Sequence, residues 1–350
     1  MFTAETGERL AELSARVLGT RPSEPWLVLT HDNPDPDALV AGALLARLLH
    51  RRFHREALLA YGGLIGRAEN REMVRCLRLA PVHLRNLDFS RFRHFALVDA
   101  QPGTGNHQLP AGVVPDLVFD HHPLRKATAG AGFADVRPHY GATATLLAEY
   151  LTAAGVEITH ALATGLVYAI RTETRDFGRE FAGPDKAVFD AVFPKASKTL
   201  LSRIQNASQP LAYFKNLHSA LEHLETVDTL IVTHLGEIEQ PDIVPEIADL
   251  LLRLEGKTWS LATGVYQDRI YLSIRTTNPR ADAGHLMRRL VGRRGKGGGH
   301  GMTAGGWVDA TRAPGGDRTA LQRSLASRLA QALKKKPEKL AGIALNGTGG

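Results

Sequence analysis

The chain has 350 residues, of which 43% are hydrophobic and 23% charged, and its formal net charge is +7. This composition is typical of a globular protein of about two domains, and we find no apolar run that predicts a membrane span. The single cysteine, Cys76, excludes an internal disulfide framework and a thiolate metal cage. The N-terminal pattern predicts an acidic amphipathic helix rather than a signal peptide, so we expect a cytoplasmic protein.

Strands and helices alternate in the first half of the sequence. The short apolar runs typical of buried strands are 26–30, 95–99 and 116–120. The segments with helical periodicity are 38–52, 142–155 and 158–170. This alternation predicts an α/β domain with a mainly parallel sheet over residues 1–192. Ligands of such domains bind beyond the carboxyl ends of the strands.

The second half predicts a polar helical connector, 193–227, interrupted near Pro210, and then a smaller α/β domain, 228–346, with a cleft between the two domains. The predicted elements of the smaller domain are a strand at 229–235, a helix at 242–254, two strands within 258–277, a glycine-rich loop at 292–306 and a helix at 317–336. We expect the two strands to turn at Gln267–Asp268, Asp317 to cap the last helix, and residues 345–350 to be loose.

Two groups of basic residues account for part of the positive charge. The first group lies beside the glycine-rich loop and consists of Arg288, Arg289, Arg293, Arg294 and Lys296. We interpret this group as functional, because cations beside glycines suit an anionic ligand. The second group, Lys334 to Lys336, is typical of a solvated helix end.

The segment from His31 to Asp37 follows the first predicted strand and contains alternating acids. Pro34 and Pro36 flank Asp35 and hold the chain extended. Carboxylates two residues apart in an extended chain project to the same side, so Asp35 and Asp37 can face one site. Their repulsion is costly unless cations lie between them. An acidic turn is the alternative interpretation of this segment alone.

Two further strands end in potential metal ligands. Asp99 ends the predicted strand 95–99, and Asp120-His121-His122 ends the next one. Three strand ends at one edge of a sheet therefore carry acids or histidines. Carboxylates mixed with imidazoles favour Mn²⁺ or Mg²⁺ over zinc, and the set is large enough for two ions that share a carboxylate.

These motifs together resemble the DHH phosphoesterase superfamily, in the subgroup whose second domain is DHHA1. That subgroup includes NrnA-like oligoribonucleases and pAp phosphatases, cyclic-di-AMP phosphodiesterases and RecJ-type exonucleases. The segments that carry the resemblance are 31–38, Val98–Asp99 with Pro102, 120–122, 273–276 and the signature 297–300.

The resemblance implies two divalent ions, Mn²⁺ first, with Mg²⁺ or Co²⁺ as alternatives. It implies that His31, Asp35 and Asp99 hold one ion. Asp37, Asp99 and His121 would hold the other, so that Asp99 bridges the two ions. It also implies that Asp120 orients a histidine and that His122 contacts the scissile phosphate. The substrate contacts that it implies are Asn33, Arg275, Gly297, Gly298, Gly299 and His300. The alternative interpretation of the glycine-rich segment is a flexible connector without a binding role.

The sequence departs from the family pattern at two positions. Pro36 stands where the first motif commonly has glycine, which removes no ligand. Glu173 stands in Thr172-Glu173-Thr174, where the family usually has a metal-binding aspartate. Glutamate keeps the charge and adds one methylene group, so Glu173 could reach the same ion. Asp176 is the alternative ligand, and the sequence leaves the choice open.

The resemblance implies hydrolysis of a phosphate ester by a metal-activated water. We expect a short RNA or a small nucleotide as substrate, such as pAp or a linear dinucleotide. The modest charge argues against stable binding of duplex DNA. The alternatives are a cyclic-dinucleotide phosphodiesterase and a nucleotide-binding regulator with weakened catalysis, which only Glu173 favours. Dimerisation is plausible by resemblance alone.

Overall fold

A computed structural model describes residues 3–178 and 180–343, apart from the side chains of His300, Arg312 and Pro314. The chain forms two compact units, Met1–Ala207 and Ser208–Gly350. The residues predicted to be loose, 345–350, and the predicted limit of the second domain at 346 lie outside the described residues.

The first unit contains a six-stranded sheet in which every strand pair is parallel. Its strands are β1 (Trp26–Leu29), β2 (Ala57–Tyr61), β3 (Val82–His83), β4 (His94–Val98), β5 (Leu117–Asp120) and β6 (Phe133–Val136). Their order across the sheet is β3-β2-β1-β4-β5-β6, which confirms the predicted parallel α/β fold. The order reverses between β1 and β4, and such a switch point opens a crevice at the carboxyl ends of the strands.

The helices that the described part of the first unit contains pack around this sheet. They are α1 (Ala4–Leu18), α2 (Pro36–Phe53), α3 (Ala68–Leu77), α4 (Thr143–Ala153), α5 (His160–Glu173), α6 (Gly183–Val192) and α7 (Lys198–Gln205). Fully buried side chains such as Leu44, Leu147 and Leu166 join α2, α4 and α5 in one core. Helix α2 begins directly after Asp35, whose Oδ1 accepts the Ala38 N–H at 3.0 Å. Proline at the first helical position costs no hydrogen bond, so Pro36 fits there.

The second unit contains a seven-stranded sheet in the order β11-β12-β10-β9-β8-β7-β13. Its strands are β7 (Glu225–Val227), β8 (Leu230–Glu237), β9 (Trp259–Tyr266), β10 (Arg269–Thr276), β11 (Gly295–His300), β12 (Thr303–Asp309) and β13 (Ala341–Gly342). Its helices are α8 (Leu211–Glu222), α9 (Ile243–Leu251), α10 (Ala283–Val291) and α11 (Arg318–Ala332). The predicted turn at Gln267–Asp268 joins β9 to β10, and Asp317 caps α11 by accepting the Ala320 N–H.

The glycine-rich segment 292–306 is not a loop as predicted, because most of it forms the β11–β12 hairpin. The reason is the close approach of α10. A Cβ on Gly297 would lie 2.7 Å from Met287 Cγ, and one on Gly306 would lie 2.9 Å from Met287 Sδ. Glycine therefore allows the helix to lie directly on these strands. Periodicity cannot reveal such a strand, since glycine has no side chain to alternate.

The helices of the predicted connector, 193–227, are divided between the two units. Helix α7 lies in the first unit and α8 in the second. The helical pattern breaks between them, and Pro210 stands directly before α8. Among the described residues, no helix combines the length and the apolarity that crossing a bilayer requires.

Candidate metal centre

Asp99 lies between two histidines at the carboxyl edge of the first sheet. Its Oδ2 is 3.4 Å from His31 Nε2, and its Oδ1 is 3.6 Å from His121 Nε2. The three residues follow β1, β4 and β5, which are neighbours in the sheet. Because parallel strands end at the same edge, residues that are far apart in sequence converge there. Each Asp99 oxygen thus faces a different imidazole.

Two more carboxylates join this arrangement from the start of α2. Asp35 Oδ1 lies 3.9 Å from His31 Nε2, and Asp37 Oδ2 lies 4.0 Å from His121 Nε2. Ligand atoms about 2.1 Å from one ion are about 3.0 Å apart when adjacent in an octahedron and about 4.2 Å apart when opposite. The observed separations fall in this range. His31, Asp35 and Asp99 therefore form one candidate ion site.

The histidine rings are oriented by backbone carbonyls. His31 Nδ1 lies 2.9 Å from the Asp32 carbonyl oxygen, and His121 Nδ1 lies 3.0 Å from that of Tyr140. When each Nδ1–H donates to its carbonyl, the Nε2 lone pair is directed at the carboxylates, as in metal-bound histidines. His121 Nε2 is buried and has no hydrogen-bond partner among the described residues. A cation would supply the missing partner, so these residues fit a metal ion.

The electrostatics of the site also call for positive charge. Burial alone lowers the pKa of His31, but the Asp99 and Asp35 carboxylates raise it to about 10. Burial also lowers the pKa of His121, but the charges of Asp99 and Asp37 raise it to about 10. Burial and the Asp99 charge raise the pKa of Asp37 well above its ordinary value. Without a metal ion the site takes up protons, and divalent cations would displace them.

The first turn of α4 holds two of the carboxylates. The backbone N–H groups of Thr143 and Ala144 donate to the two oxygens of Asp37, each at 2.8 Å. Thr143 Oγ1 donates to Asp99 Oδ1, also at 2.8 Å. The first N–H groups of a helix have no partner within the helix, so they are well suited to bind an anion. One helix end thus fixes Asp37 and Asp99 together.

Asp120 orients His122. Asp120 Oδ1 lies 2.8 Å from His122 Nδ1, and its Oδ2 accepts a hydrogen bond from Gln101 Nε2 at 2.6 Å. Burial lowers the pKa of His122, but the hydrogen bond to Asp120 and the charge of Asp99 together raise it above its ordinary value. The His122 side chain is 38% exposed, against 10% for His121. His122 is therefore a hydrogen-bonding residue that a ligand can reach, and its Nδ1 is bound to Asp120.

The structure separates the two candidates for the remaining metal ligand. Burial raises the pKa of Glu173 to about 7, and the charges of Asp35 and Asp99 add to this effect. Glu173 at the end of α5 is thus within electrostatic range of the centre. The Asp176 side chain is 67% exposed and forms an ion pair with Arg171. This arrangement favours Glu173 as the ligand.

The predicted substrate-binding residues occupy different places. Asn33 is exposed, and its Oδ1 accepts the Leu64 N–H at 2.8 Å. Arg275 is in the second unit, where its Nε donates to Asp249 at 3.0 Å and its Nη1 to the Ala304 carbonyl at 3.2 Å. These bonds hold the guanidinium in a defined orientation. The glycines Gly297, Gly298 and Gly299 form part of β11, which ends at His300, whose side chain is not described.

Sequence reasoning missed the residues that support the ligands. Gln101 is fully buried and connects Asp120 to the N–H of Arg125. Asp185 is also fully buried, and its Oδ2 accepts the N–H groups of Gly141 and Ala182, each at 2.7 Å. Gly141 lies between Tyr140, which binds His121, and the first turn of α4. The sequence signals for Gln101 and Asp185 were weak, because a polar residue after a strand or in a helix start has many ordinary uses.

An Asp185→Ala variant is expected to bind Mn²⁺ about 10- to 100-fold more weakly than wild type. The change leaves the Gly141 N–H and the Thr145 hydroxyl, which donates to Asp185 Oδ1, without an acceptor. The segment that holds Asp37 and Asp99 then loses its support. Isothermal titration calorimetry measures the affinity.

The controls for Asp185 separate positioning from general stability. Asp185→Asn keeps an acceptor for Gly141 and is expected to bind Mn²⁺ within about threefold of wild type. Ile204→Ala removes a fully buried side chain from α7 and tests destabilisation alone. Equal Mn²⁺ affinity in Asp185→Ala and wild type would show that Asp185 does not position the ligands.

The metal-free protein is expected to lose stability as the pH rises from about 6.5 to 10. The pKa of His31 and His121 is about 10 in the folded state and about 6.5 in an unfolded chain. A raised histidine pKa stabilises the fold fully below the unfolded value, and the stabilisation disappears as the pH passes the folded value. The melting temperature in EDTA should fall by at least about 3 °C between pH 6.5 and 9.5.

Saturating Mn²⁺ should remove most of this fall, because the ions replace the protons. Differential scanning calorimetry at several pH values makes the comparison. His50→Gln serves as the control, since His50 is exposed at the end of α2 and should leave the curve unchanged. A metal-free melting temperature that rises with pH over this range would contradict the electrostatic account of the centre.

The chain is similar to several known proteins. The DHHA1 domain family model matches residues 228–335. Uncharacterized protein MJ1633 of Methanocaldococcus jannaschii is 32% identical over 278 residues, which are 79% of this chain and 56% of that protein. The chain therefore spans only about half the length of this relative. The crystal structure of an exopolyphosphatase-related protein from Bacteroides fragilis is similar with a TM-score of 0.69 and 12% identity, covering 93% of this chain and 98% of that one.

Proposed function

We propose that this chain, whose residues 228–335 match the DHHA1 domain family, is a two-metal phosphoesterase that hydrolyses short oligoribonucleotides and linear dinucleotides. The single observation that supports this most is the position of Asp99, with one oxygen toward His31 and the other toward His121. A carboxylate shared in this way is typical of sites for two ions.

We assign six residues as ligands. His31, Asp35 and Asp99 would hold one ion. Asp37, Asp99 and His121 would hold the other, and Glu173 would complete the set. The oxygen and imidazole donors favour Mn²⁺, with Mg²⁺ and Co²⁺ as alternatives. When bound, the two ions supply Lewis acidity toward a phosphate and an activated water as nucleophile.

The residues of the chain provide orientation and charge. Thr143 and Ala144 hold the Asp37 carboxylate at the centre through two N–H donors. Asp120 holds the His122 ring so that its other nitrogen can donate to a phosphoryl oxygen. The raised pKa of His122 favours the charged form, which stabilises negative charge that develops during hydrolysis.

The proposed substrates are linear because the second unit offers several places for an extended anion. Arg275 is held in a defined orientation, and the basic residues beside the glycine-rich segment are all exposed, namely Arg288, Arg289, Arg293, Arg294 and Lys296. Guanidinium groups bind phosphate through paired N–H donors. pAp is a second proposed substrate, since it presents a terminal phosphate on the same kind of nucleotide.

A hydrolysis panel with Mn²⁺ tests the proposal. The panel contains pAp, pApA, pGpG, a five-nucleotide RNA, cyclic di-AMP, cyclic di-GMP and inorganic polyphosphate, which enters because of the name of the Bacteroides protein. We expect turnover of the linear nucleotides and slower turnover of the others. Preferential cleavage of a cyclic dinucleotide would show that the substrates are cyclic dinucleotides instead of linear ones. Nucleotide binding without any hydrolysis would support a regulator instead.

A further inference from the structure

A network of buried charged and polar side chains adjoins the candidate metal centre. At its middle, the Arg137 guanidinium donates two hydrogen bonds to Asp135, from Nε at 2.9 Å and from Nη2 at 2.8 Å. Its Nη1 donates to the Tyr140 hydroxyl at 2.9 Å and to Glu149 Oε2 at 3.3 Å. The Tyr140 hydroxyl in turn donates to Glu149 Oε2 at 3.0 Å. We name these four residues, Asp135, Arg137, Tyr140 and Glu149, the Arg137 network.

The charges of the Arg137 network are out of water, since all four of its side chains are buried. Removing the partner of a buried charge is strongly destabilising, so each member holds its neighbours in place. The start of helix α1 adds two donors to Glu149, from Thr6 Oγ1 at 2.7 Å and from the Thr3 N–H at 3.2 Å. Glu149 is therefore fixed by three parts of the chain, namely α1, Arg137 and Tyr140.

Tyr140 connects the Arg137 network to a candidate metal ligand. It lies in the turn between β6 and α4, and its carbonyl oxygen is 3.0 Å from His121 Nδ1. The same peptide group ends in the Gly141 N–H, which donates to Asp185 at 2.7 Å. At its other end is the Tyr140 Cα, whose ring is fixed through the hydroxyl. The carbonyl at His121 is thus supported by Asp185 on one side and by the Tyr140 ring on the other.

Tyr150 is a second tyrosine bound to this network, and it differs from Tyr140 in one respect. Its side chain is fully buried, and its hydroxyl donates to Asp135 Oδ2 at 2.7 Å. However, Tyr150 lies within helix α4, and its carbonyl oxygen accepts the Ala154 N–H at 2.9 Å. Tyr140 supplies both a hydroxyl to the network and a carbonyl to His121. The two tyrosines therefore separate support of the fold from support of the ligand.

We infer that Tyr140 is a positioning residue of the metal centre: its hydroxyl, held by the Arg137 network, fixes the carbonyl that orients the His121 ring. The ring directs Nε2 at the carboxylates only while the Nδ1–H has its acceptor in place. Partners of the outer nitrogen of a metal-bound histidine commonly change metal affinity about 10- to 100-fold. The inference rests on the proposed function, and it predicts an effect on the ion at His121 and none on the ion at His31.

Tyr140→Phe in the full-length protein tests the inference, because it removes the hydroxyl and keeps the ring and the carbonyl. The first readout is NMR spectroscopy of the imidazole N–H groups in the metal-free protein in EDTA. We expect a slowly exchanging Nδ1–H signal of His121 in wild type, assigned by its absence from His121→Gln. In Tyr140→Phe this proton should exchange with solvent about tenfold faster or more, because its acceptor is no longer fixed.

Tyr150→Phe is the matched control, since it also removes a buried hydroxyl that donates to a carboxylate of the network. It should lower the melting temperature about as much as Tyr140→Phe and leave the exchange of the His121 proton unchanged. Arg137→Lys keeps the charge but loses the planar fork that reaches Asp135 and Tyr140 together. It should therefore accelerate exchange as Tyr140→Phe does. Circular dichroism melting shows whether each variant is folded.

Calorimetric titration with Mn²⁺ is the second readout. Wild type should bind two ions. In Tyr140→Phe, one ion should bind with wild-type affinity and the other about tenfold more weakly, because only the site at His121 has lost support. In Tyr150→Phe both affinities should equal those of wild type.

Three results would overturn the inference: a rapidly exchanging His121 proton in wild type, equal exchange in folded Tyr140→Phe and wild type, or equal acceleration in Tyr150→Phe. None of them depends on turnover. Hydrolysis of bis-p-nitrophenyl phosphate by the wild-type protein with Mn²⁺ tests the proposed function separately. Hydrolysis with an unprotected His121 proton rejects only the role of Tyr140. A protected proton that Tyr140→Phe releases, without any hydrolysis, rejects only the proposed activity.

Discussion

An Asp99→Asn variant is expected to lose Mn²⁺-dependent hydrolysis by roughly 1,000-fold or more in kcat/KM, which is about 4 kcal/mol of transition-state stabilisation. Asp99 is common to both candidate ion sites, so its loss affects both ions. Asparagine has no charge and offers one oxygen, and its amide nitrogen would face one of the two imidazoles. Hydrolysis of pApA over a range of Mn²⁺ concentrations measures the effect.

The backbone at this position makes Asp99→Asn a fair substitution. Asp99 has a φ of 55°, in the left-handed region, which asparagine adopts as readily as aspartate. Alanine would add backbone strain to the loss of the ligand. Circular dichroism should show a folded variant, and Asp176→Asn, which changes an exposed carboxylate, should keep wild-type activity. Hydrolysis by Asp99→Asn within tenfold of wild type would show that the shared carboxylate is not needed.

A Glu173→Gln variant is expected to lose about 100-fold in kcat/KM, the second largest effect. The Asp35 and Asp99 charges act on Glu173 strongly enough to help raise its pKa to about 7. A carboxylate this close to the centre would be deprotonated by a bound cation and would then serve as a ligand. Glutamine keeps the shape but removes the charge, so Mn²⁺ affinity should fall with activity.

Glu173→Asp tests whether the longer side chain matters. It restores the residue that the resemblance implies at this position, and we expect activity above that of Glu173→Gln. The decisive comparison is with Asp176→Asn under the same conditions. Full activity in Glu173→Gln together with a large loss in Asp176→Asn would assign the ligand to Asp176 instead.

Much of the fold of the first unit could be predicted from the sequence, because its central strands are uninterrupted apolar runs. Strand β6 was not predicted, because it contains an acidic residue, Asp135. In the structure Asp135 is buried and accepts a hydrogen bond from Arg137 Nη2 at 2.8 Å. In the sequence, the two charged residues of a buried ion pair suggest a polar loop instead of a strand. The β11 strand was missed for the opposite reason, since its glycines carry no pattern at all.

The candidate ligands other than Glu173 could be predicted because each lies close to a strand end or a helix start, where local pattern is informative. Their supporting residues could not. Thr143 lies 44 positions from Asp99, and Asp185 lies 44 positions from Gly141, so only the folded chain shows that they meet. The sequence also left Asp176 as an alternative to Glu173, and burial and ion pairing favour Glu173. The assignment of ligands stays a prediction until ions are observed.

The most direct test of the two-ion centre is anomalous diffraction from crystals soaked in Mn²⁺. The account predicts two anomalous peaks in the first unit, about 3.5–4 Å apart. One peak should lie beside His31 and Asp35, the other beside Asp37 and His121, with Asp99 between them. A single peak, or peaks that do not contact Asp99, would contradict the account.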